Sequence, residues 1–314
     1  MKSQAITEYG SALSPVEADT PTPSGQEVLI EITHCGVCHS DVHFHDGHFD
    51  MGDGQKLDVR GARQTPFTLG HEIEGVVSAI GPDVKDVKLG TRKVIYPWIG
   101  CGECHECDHG REHLCNGRAL GVNLPGGFST HCLVPHERYC LDAEGIAEGL
   151  ASTYMCSGIT AYSALKYLDT GDKGEPALIV GLGGVGMMAL QFALEMYDET
   201  PLVADLDENK LQAAMGAGAR AAYNPKDPEA LKQLLVESPN HPALEQFSLK
   251  LPFIGANVLL MGDPWQLSPT DGISLPQAVV MNVLYSQLHG KHACTALNAQ
   301  KYNVQRKGGL LFSK

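Results

Sequence analysis

The sequence predicts an α/β chain whose first part is β-rich and whose second part is built on a parallel sheet. Three observations carry this. Residues 1–150 hold short runs of alternating apolar and polar residues, punctuated by Gly and Pro. Five of the ten cysteines crowd into Cys101–Cys132, with spacing of the metal-binding kind. A glycine pattern, Gly181-Leu-Gly-Gly-Val-Gly186, lies between an apolar strand and a helical stretch. With 314 residues and 43% hydrophobic content, the chain can support two domains with cores of their own. Frequent glycine (35) and few aromatics (6%) suit tight turns rather than a fibrous or disordered chain.

The elements follow in order. Val28–Ile32 and Glu74–Ile80 alternate as strands. Glycine-flanked loops are expected to hold most Cys and His residues. Around Thr153 the pattern changes: Ile159–Leu168 has helical periodicity. Ala177–Val180 reads as a short strand, Gly181–Gly186 as a turn and Val185–Met196 as a helix; Leu202–Asp205 is the next strand and Glu208–Met215 the next helix. A β-α-β order implies parallel strands and right-handed crossovers. Beyond Pro225 the signals thin out: Pro228–Val236 as a helix, Asn257–Met261 as a buried strand, Pro276–Gln287 as a helix, and a polar, basic tail at Ala299–Lys314. The expected boundaries are 1–150, 151–240 and an atypical segment, 241–314.

A formal net charge of −14 disfavours a nucleic-acid partner, because an acidic surface repels phosphate backbones. The polar start, Met1–Gly10, is not an apolar leader, and no apolar run is long enough to span a membrane. Together with metal-type cysteine spacing, this predicts no membrane partner and a reducing, cytoplasmic compartment.

Cys101, Cys104, Cys107 and Cys115 form C-x2-C-x2-C-x7-C. Four thiolates this close can each reach about 2.3 Å from one Zn2+, which fills its coordination and makes the site structural. Disulfides are the weaker reading, given the four-fold pattern. His105, His109 and His113 are expected at the surface of this lobe.

A second set is incomplete. Cys38 in Gly36-Val-Cys-His-Ser-Asp41, His71 in Gly70-His-Glu72 and Cys156 in Met155-Cys-Ser-Gly158 offer two thiolates and one imidazole. A fourth position would remain for water or an alcohol oxygen, and Zn2+ would lower the pKa of a hydroxyl placed there. Each residue alone reads more blandly, as a core thiol or a loop histidine.

The glycine loop satisfies G-x-G-x-x-G in its required context. Gly181 permits the turn, Gly183 admits a pyrophosphate, and Gly186 lets helix and strand pack. Asp205, nineteen residues after Gly186, would accept hydrogen bonds from the adenosine ribose and repel a 2′-phosphate, which favours NAD over NADP. The alternative for Asp205 is a helix N-cap.

Over residues 1–225 these motifs, with Gly70-His-Glu-Ile-Glu-Gly75 and Cys156-Ser-Gly-Ile-Thr-Ala-Tyr162, resemble the zinc-containing alcohol dehydrogenases of the medium-chain dehydrogenase/reductase family. The resemblance implies a GroES-like β-barrel catalytic domain plus a Rossmann-type nucleotide-binding domain, the latter truncated or irregular. It implies zinc-dependent oxidation of an alcohol to an aldehyde or ketone, with hydride transfer to NAD, and two Zn2+ per chain, one catalytic and one structural. Cys38, His71 and Cys156 would be the catalytic zinc ligands, Glu72 a carboxylate that approaches the metal, and Asp41 the residue orienting His71. Ser40 and His43 match the proton relay, which passes through the cofactor ribose; His39 matches a pyrophosphate contact and Lys210 a ribose neighbour. His43 reads alternatively as a solvated loop histidine. A homo-oligomer is compatible with the family. Asp50–Arg63 looks like an added polar loop, either a cover for the substrate mouth or an inert insertion.

The resemblance fades after Pro225. Leu251–Pro269, with Gly262, Asp263, Gln266 and Leu267, resembles a segment of PIF-type DNA helicases, yet a phosphate-binding loop with its Lys is absent from the sequence. The segment reads either as foreign to the dehydrogenase or as a diverged strand of its sheet. Two further readings follow: an inactive fusion or truncated dehydrogenase that binds zinc but lacks a complete cofactor site, and nucleic-acid binding by the C-terminal piece through Lys291, Lys301, Arg306 and Lys307.

Overall fold

The structure is a computed structural model that describes residues 1–50, 55–115, 118–166, 176–237 and 258–260. The chain divides into two compact units, Met1–Cys156 and Ser157–Lys314.

The first unit is mostly antiparallel. Its strands are β1 (Lys2–Ile6), β2 (Ser14–Glu17), β3 (Val28–Gly36), β4 (His48–Asp50), β5 (Lys56–Asp58), β6 (Phe67–Thr68), β7 (Glu72–Ile80), β8 (Arg92–Ile95), β9 (Trp98–Ile99), β10 (Arg118–Ala119), β11 (His131–Val134) and β12 (Cys140–Asp142). Its helices are α1 (His39–Asp46), α2 (His105–Asp108) and α3 (Leu150–Thr153). The central sheet runs β11-β3-β7-β8-β12, beside a β2-β1-β6 sheet and the pairs β10-β9 and β4-β5. The inward residues of the central sheet, Val28, Ile30, Ile73, Val77, Ile95, Cys132 and Val134, share one buried cluster. Apolar positions at period two place them on a single face.

Both strands expected here are present, and longer than their alternation suggested. β3 and β7 pair over their whole length, with bulges between Leu29 and Ile30 and between Ile32 and His34. The bulge between Ile32 and His34 interrupts the two-residue period of β3, which is why its sequence pattern stops at Ile32. The loop expected after Cys38 is instead the helix α1. The Asp41 carboxylate accepts the Cys38 backbone N–H at 3.0 Å, and Gly47 ends the helix in the left-handed region with φ 77°.

The second unit contains α4 (Ile159–Leu165), β13 (Leu178–Val180), α5 (Gly184–Met196), β14 (Leu202–Ala204), α6 (Glu208–Gly216), β15 (Ala221–Tyr223), α7 (Pro228–Glu237) and β16 (Val258–Leu260). The four strands are parallel in the order β15-β14-β13-β16. All three residues of β13 and all three of β14 are buried, as a parallel sheet covered on both faces requires. One side packs on Leu190, Ala189, Ala193, Leu211 and Ala214 of α5 and α6. The expected strand at Asn257–Met261 is present as β16. It lies parallel to β13, with Leu178 opposite Val258, which is the place a strand of the dehydrogenase sheet would take. Gly262, Asp263, Gln266, Leu267, the helix expected at Pro276–Gln287 and the basic tail lie outside the described residues.

Candidate active site and metal centres

The open ligand set is assembled by the β3–β7 pair. Gly36 closes β3 opposite Glu72, the first residue of β7. Cys38 and His71 therefore leave the same end of the same ladder. The pairing is close: a Cβ on Gly36 would collide with the Glu72 carboxylate. The Gly36-Val-Cys38 motif thus needs its glycine for packing against Glu72, a role the sequence did not disclose. Cys156 comes from 118 residues away. It sits in Tyr154–Gly158, a wide π-type turn that follows α3. Such a turn carries an extra residue and is common at functional sites.

The ligand atoms of Cys38, His71 and Cys156 lie within 4.8 Å of one another. Cys38 Sγ is 3.9 Å from Cys156 Sγ, and His71 Nε2 is 3.3 Å from Cys156 Sγ. A tetrahedral Zn2+ with S and N arms of about 2.3 and 2.0 Å would have edges of about 3.8 and 3.5 Å. The set fits a zinc ion in size as well as in chemistry.

Asp41 holds the arrangement from behind. Its Oδ1 is 3.1 Å from His71 Nδ1 and accepts the Gly70 N–H at 3.2 Å, while Oδ2 takes the Cys38 N–H. A carboxylate only accepts, so Nδ1 carries a proton and Nε2 is the ring nitrogen turned toward the sulfurs. His71 is 1% exposed and Asp41 2%. Burial pulls the imidazole pKa down, but the charge and hydrogen bond of Asp41 prevail and hold it well above the usual range. The Cys156 hydrogen bond, opposed by burial and helped by His71 and the Ser40 backbone, keeps the Cys38 thiol well below its ordinary value. Cys156 is pushed well above by the same bond and by burial, with Glu72 and Asp41 adding negative charge nearby. Glu72 is thereby placed beside the ligand set, buried at the start of β7.

Ser40 is buried in the first turn of α1, and His43 is half-buried one turn later on the same helix, 4.7 Å between ring centroids from Phe49. His43 is thus not a solvated loop residue. His39 is exposed at the start of α1, its ring 4.8 Å from that of His43. The added loop forms the β4–β5 hairpin, with 51–54 outside the described residues. Its far end is anchored: the buried Arg63 stacks its guanidinium 4.1 Å over the Phe44 ring of α1.

Trp98 was not singled out in the sequence, although the chain has only two tryptophans. Its ring lies 5.9 Å from that of His71, and its Nε1 donates to the Met155 carbonyl at 3.1 Å. The usable signal was a rare residue just ahead of the cysteine lobe.

The closed set gathers as expected. Cys104 Sγ is 3.6 Å from both Cys107 and Cys115, and Cys101 Sγ is 3.9 Å from Cys107. These are the edges of a tetrahedron of sulfurs about 2.3 Å from a common centre. They are too long for disulfide bonds, and every described cysteine is unbridged. His105, His109 and His113 are exposed, as expected.

In the second unit the glycine loop leads from β13 into α5. Gly181 has φ 89°, which favours glycine. Among the described residues a Cβ on Gly183 would meet nothing within 4 Å, which leaves room for a close approach to the backbone. Gly186 is buried in the first turn of α5. The N-cap of α5 is Gly183, and no side chain caps it. Helix N–H groups presented this way suit a pyrophosphate. Asp205 follows β14 directly and accepts the Leu182 N–H at 2.6 Å and the Asp207 N–H at 2.9 Å. Each carboxylate oxygen has a second acceptor direction for a ribose hydroxyl. The N-cap of α6 is Asp207, which accepts from Asn209, so the helix-cap alternative for Asp205 does not hold. Lys210 is half-buried on α6. The loop and carboxylate fit an NAD.

A parallel sheet with a glycine loop, joined in one chain to an antiparallel unit bearing two zinc-type ligand sets, defines a metal-dependent dehydrogenase. Comparison with known proteins agrees. Residues 24–144 match the family described as alcohol dehydrogenase GroES-like domain. The chain is 36% identical over 242 residues to an NAD-dependent alcohol dehydrogenase of Saccharolobus solfataricus, spanning 76% of this chain and 69% of that one. It is 35% identical over 234 residues to an alcohol dehydrogenase of Geobacillus stearothermophilus, 73% of this chain and 65% of the relative. Among solved structures, the alcohol dehydrogenase of Aeropyrum pernix superposes with TM-score 0.65 at 28% identity, covering 75% of this chain and 68% of that one. The D-arabinose dehydrogenase of Sulfolobus solfataricus superposes with TM-score 0.63 at 26% identity, covering 76% and 71%. The chain belongs to the zinc-type alcohol dehydrogenases of the medium-chain dehydrogenase/reductase family, with a GroES-like and a Rossmann-type unit. The relatives named above are dehydrogenases, and the helicase resemblance of Leu251–Pro269 gains no support from them.

Proposed function

We infer that this chain oxidises an alcohol to an aldehyde or ketone, and runs the reverse, with hydride transfer to and from NAD. The observation that carries this is the Cys38–His71–Cys156 triangle, with His71 pinned by Asp41 so that Nε2 faces the sulfurs. Zn2+ held there would act as a Lewis acid on an alcohol oxygen and raise the acidity of its hydroxyl.

The protein's own groups do the rest. Asp41 fixes the His71 tautomer, and Glu72 sets the negative charge beside the ligands. The Ser40 hydroxyl, buried on α1, takes the proton that the alcohol gives up. His43, one turn on and half-buried, is suited to hand that proton to water, because imidazole titrates near neutral pH. Gly181, Gly183, Gly186 and the first amides of α5 would bind the pyrophosphate, with His39 as a further contact, and Asp205 with Lys210 beside it the ribose. A carboxylate at 205 disfavours a 2′-phosphate, hence NAD rather than NADP.

Two zinc ions per chain are proposed, a catalytic one at this triangle and a structural one among Cys101, Cys104, Cys107 and Cys115. The unbridged thiols fit a reducing, cytoplasmic compartment. Among the described residues no helix is long and apolar enough to cross a membrane.

The test is NADH formation by zinc-loaded protein with NAD and a panel of short, long and aromatic alcohols, extended to sugars because one structural neighbour is a D-arabinose dehydrogenase. Turnover that disappears in Cys38→Ala is expected. Full activity in that variant would overturn the assignment.

A further inference from the structure

We propose that the buried Glu74–Arg92 pair is a positioning device for Cys156, holding the third ligand of the open site in register with the other two. This rests on reading Cys156 as a metal ligand.

The three ligands are not equally secured by the sheet. Cys38 and His71 are fixed by the β3–β7 ladder and by Asp41. Cys156 arrives on a chain segment that belongs to no strand. Its local geometry is a single turn, α3, followed by the π-type turn Tyr154–Gly158. A four-residue helix has no stability of its own, and a π turn is a strained insertion, so the segment must be held from outside.

Glu74 does this from β7, the strand that begins at Glu72. It is 0% exposed. Its Oε2 accepts the Gly149 N–H at 3.1 Å and the Ser152 N–H at 3.3 Å, two of the unpaired amides at the start of α3. Its Oε1 accepts from Arg92 Nε at 2.7 Å. The same guanidinium spends its other hydrogens on the incoming chain: Nη1 on the Ala143 and Ile146 carbonyls at 3.0 and 2.9 Å, and Nη2 on Ala147 at 3.1 Å. The pair therefore grips both amides and carbonyls over residues 143–152. Downstream, Trp98 holds the Met155 carbonyl. The chain is thus held just before the π turn and again at its second residue, Met155, and the upstream clamp is anchored three residues after His71.

An apolar residue would fill the place of Glu74 at less cost, since a buried carboxylate is expensive unless paired and hydrogen-bonded. What the charge adds is direction. Planar acceptor and planar fork fix distances and angles that methyl groups cannot.

The test uses the metal-loaded full chain, with Glu74→Gln and Arg92→Lys. The readouts are metal release to a colorimetric chelator well below each variant's melting temperature, and the thiolate-to-metal absorption band after Co2+ substitution. Cys156→Ala and Cys104→Ser assign the two release phases to the open and closed sites. Glu74→Gln is expected to speed release from the open site about 10- to 100-fold and shift its Co2+ band, with the closed site unchanged. Arg92→Lys should act the same way but more weakly. Should Glu74→Gln fail to fold, Arg92→Lys alone carries the test. Lower melting with wild-type release and an unshifted band would overturn the proposal. A wild-type chain with metal only at the closed site would remove the reading of Cys156 as a ligand, and this proposal with it.

Discussion

The two thiol clusters of the first unit are built in opposite ways. The closed one is local: Cys101 and Cys115 are 14 residues apart, and the lobe between them has only α2 and short turns. The open one joins residues up to 118 apart, buries its imidazole almost completely, and depends on Asp41, Glu74, Trp98 and a strand pair to hold its shape. A four-thiolate site supplies its own geometry when the metal binds, because metal and fold are linked. A three-ligand site that keeps one position for substrate must take its geometry from the protein.

The largest expected effect breaks the open site. Cys38→Ala should lose one metal and reduce kcat/KM on the order of 10³-fold or more, since a Lewis acid is worth several kcal/mol of transition-state stabilisation. Metal analysis beside steady-state kinetics checks both halves. An equal loss of metal from the lobe would break the comparison.

The mirror experiment is Cys104→Ser. The lobe should lose its metal and the protein should melt about 10 °C or more lower, with kcat largely kept in the fraction still folded at low temperature. Calorimetry with parallel kinetics decides. A selective fall in kcat without a change in melting would mean that the lobe serves the chemistry.

A smaller effect tests the outer support. Trp98→Phe removes the bond to Met155 but keeps an aromatic ring. A hydrogen bond of about 1 kcal/mol net corresponds to a loss of roughly 2- to 10-fold in kcat/KM, with lobe metal untouched.

How much of this was legible follows the same division. The lobe and the glycine loop were readable because their residues are neighbours in sequence, and spacing alone sets the geometry. The ladder that brings Cys38 to His71 was half readable: β3 and β7 alternate, but a bulge hides the last residues of β3, and Gly36 shows its purpose only once Glu72 lies across it. Glu74 and Arg92 gave no usable pattern and Trp98 only its rarity, because each acts on a partner more than fifty residues away. β15 was missed because Ala-Ala-Tyr has weak strand character, and pairing with β14 supplies what propensity does not. β16 was visible as an apolar run, yet its membership in the sheet came only from its parallel pairing with β13.

The smallest effect concerns thiols of the metal-stripped protein. In the lobe, hydrogen bonding by the Cys107 backbone, against the cost of burial, brings Cys104 down to about 7. In the sheet core, burial pushes Cys132 and Cys140 up to about 12. Cys104 is lowered, so its thiolate accumulates as pH rises through neutrality. Alkylation followed by mass spectrometry should therefore label Cys104 with a midpoint near pH 7 and leave Cys132 and Cys140 untouched while the chain stays folded. Labelling of Cys104 only at the pH of an ordinary thiol would mean that the lobe has no structure without metal.

The most direct measurement is metal content set against NADH formation for wild type, Cys38→Ala and Cys104→Ser from one preparation. The expected result is about two zinc ions per chain in wild type and about one in each variant, with turnover lost in Cys38→Ala and kept in Cys104→Ser at low temperature. Turnover that survives Cys38→Ala, or disappears with the lobe metal alone, would contradict the division of labour between the two sites.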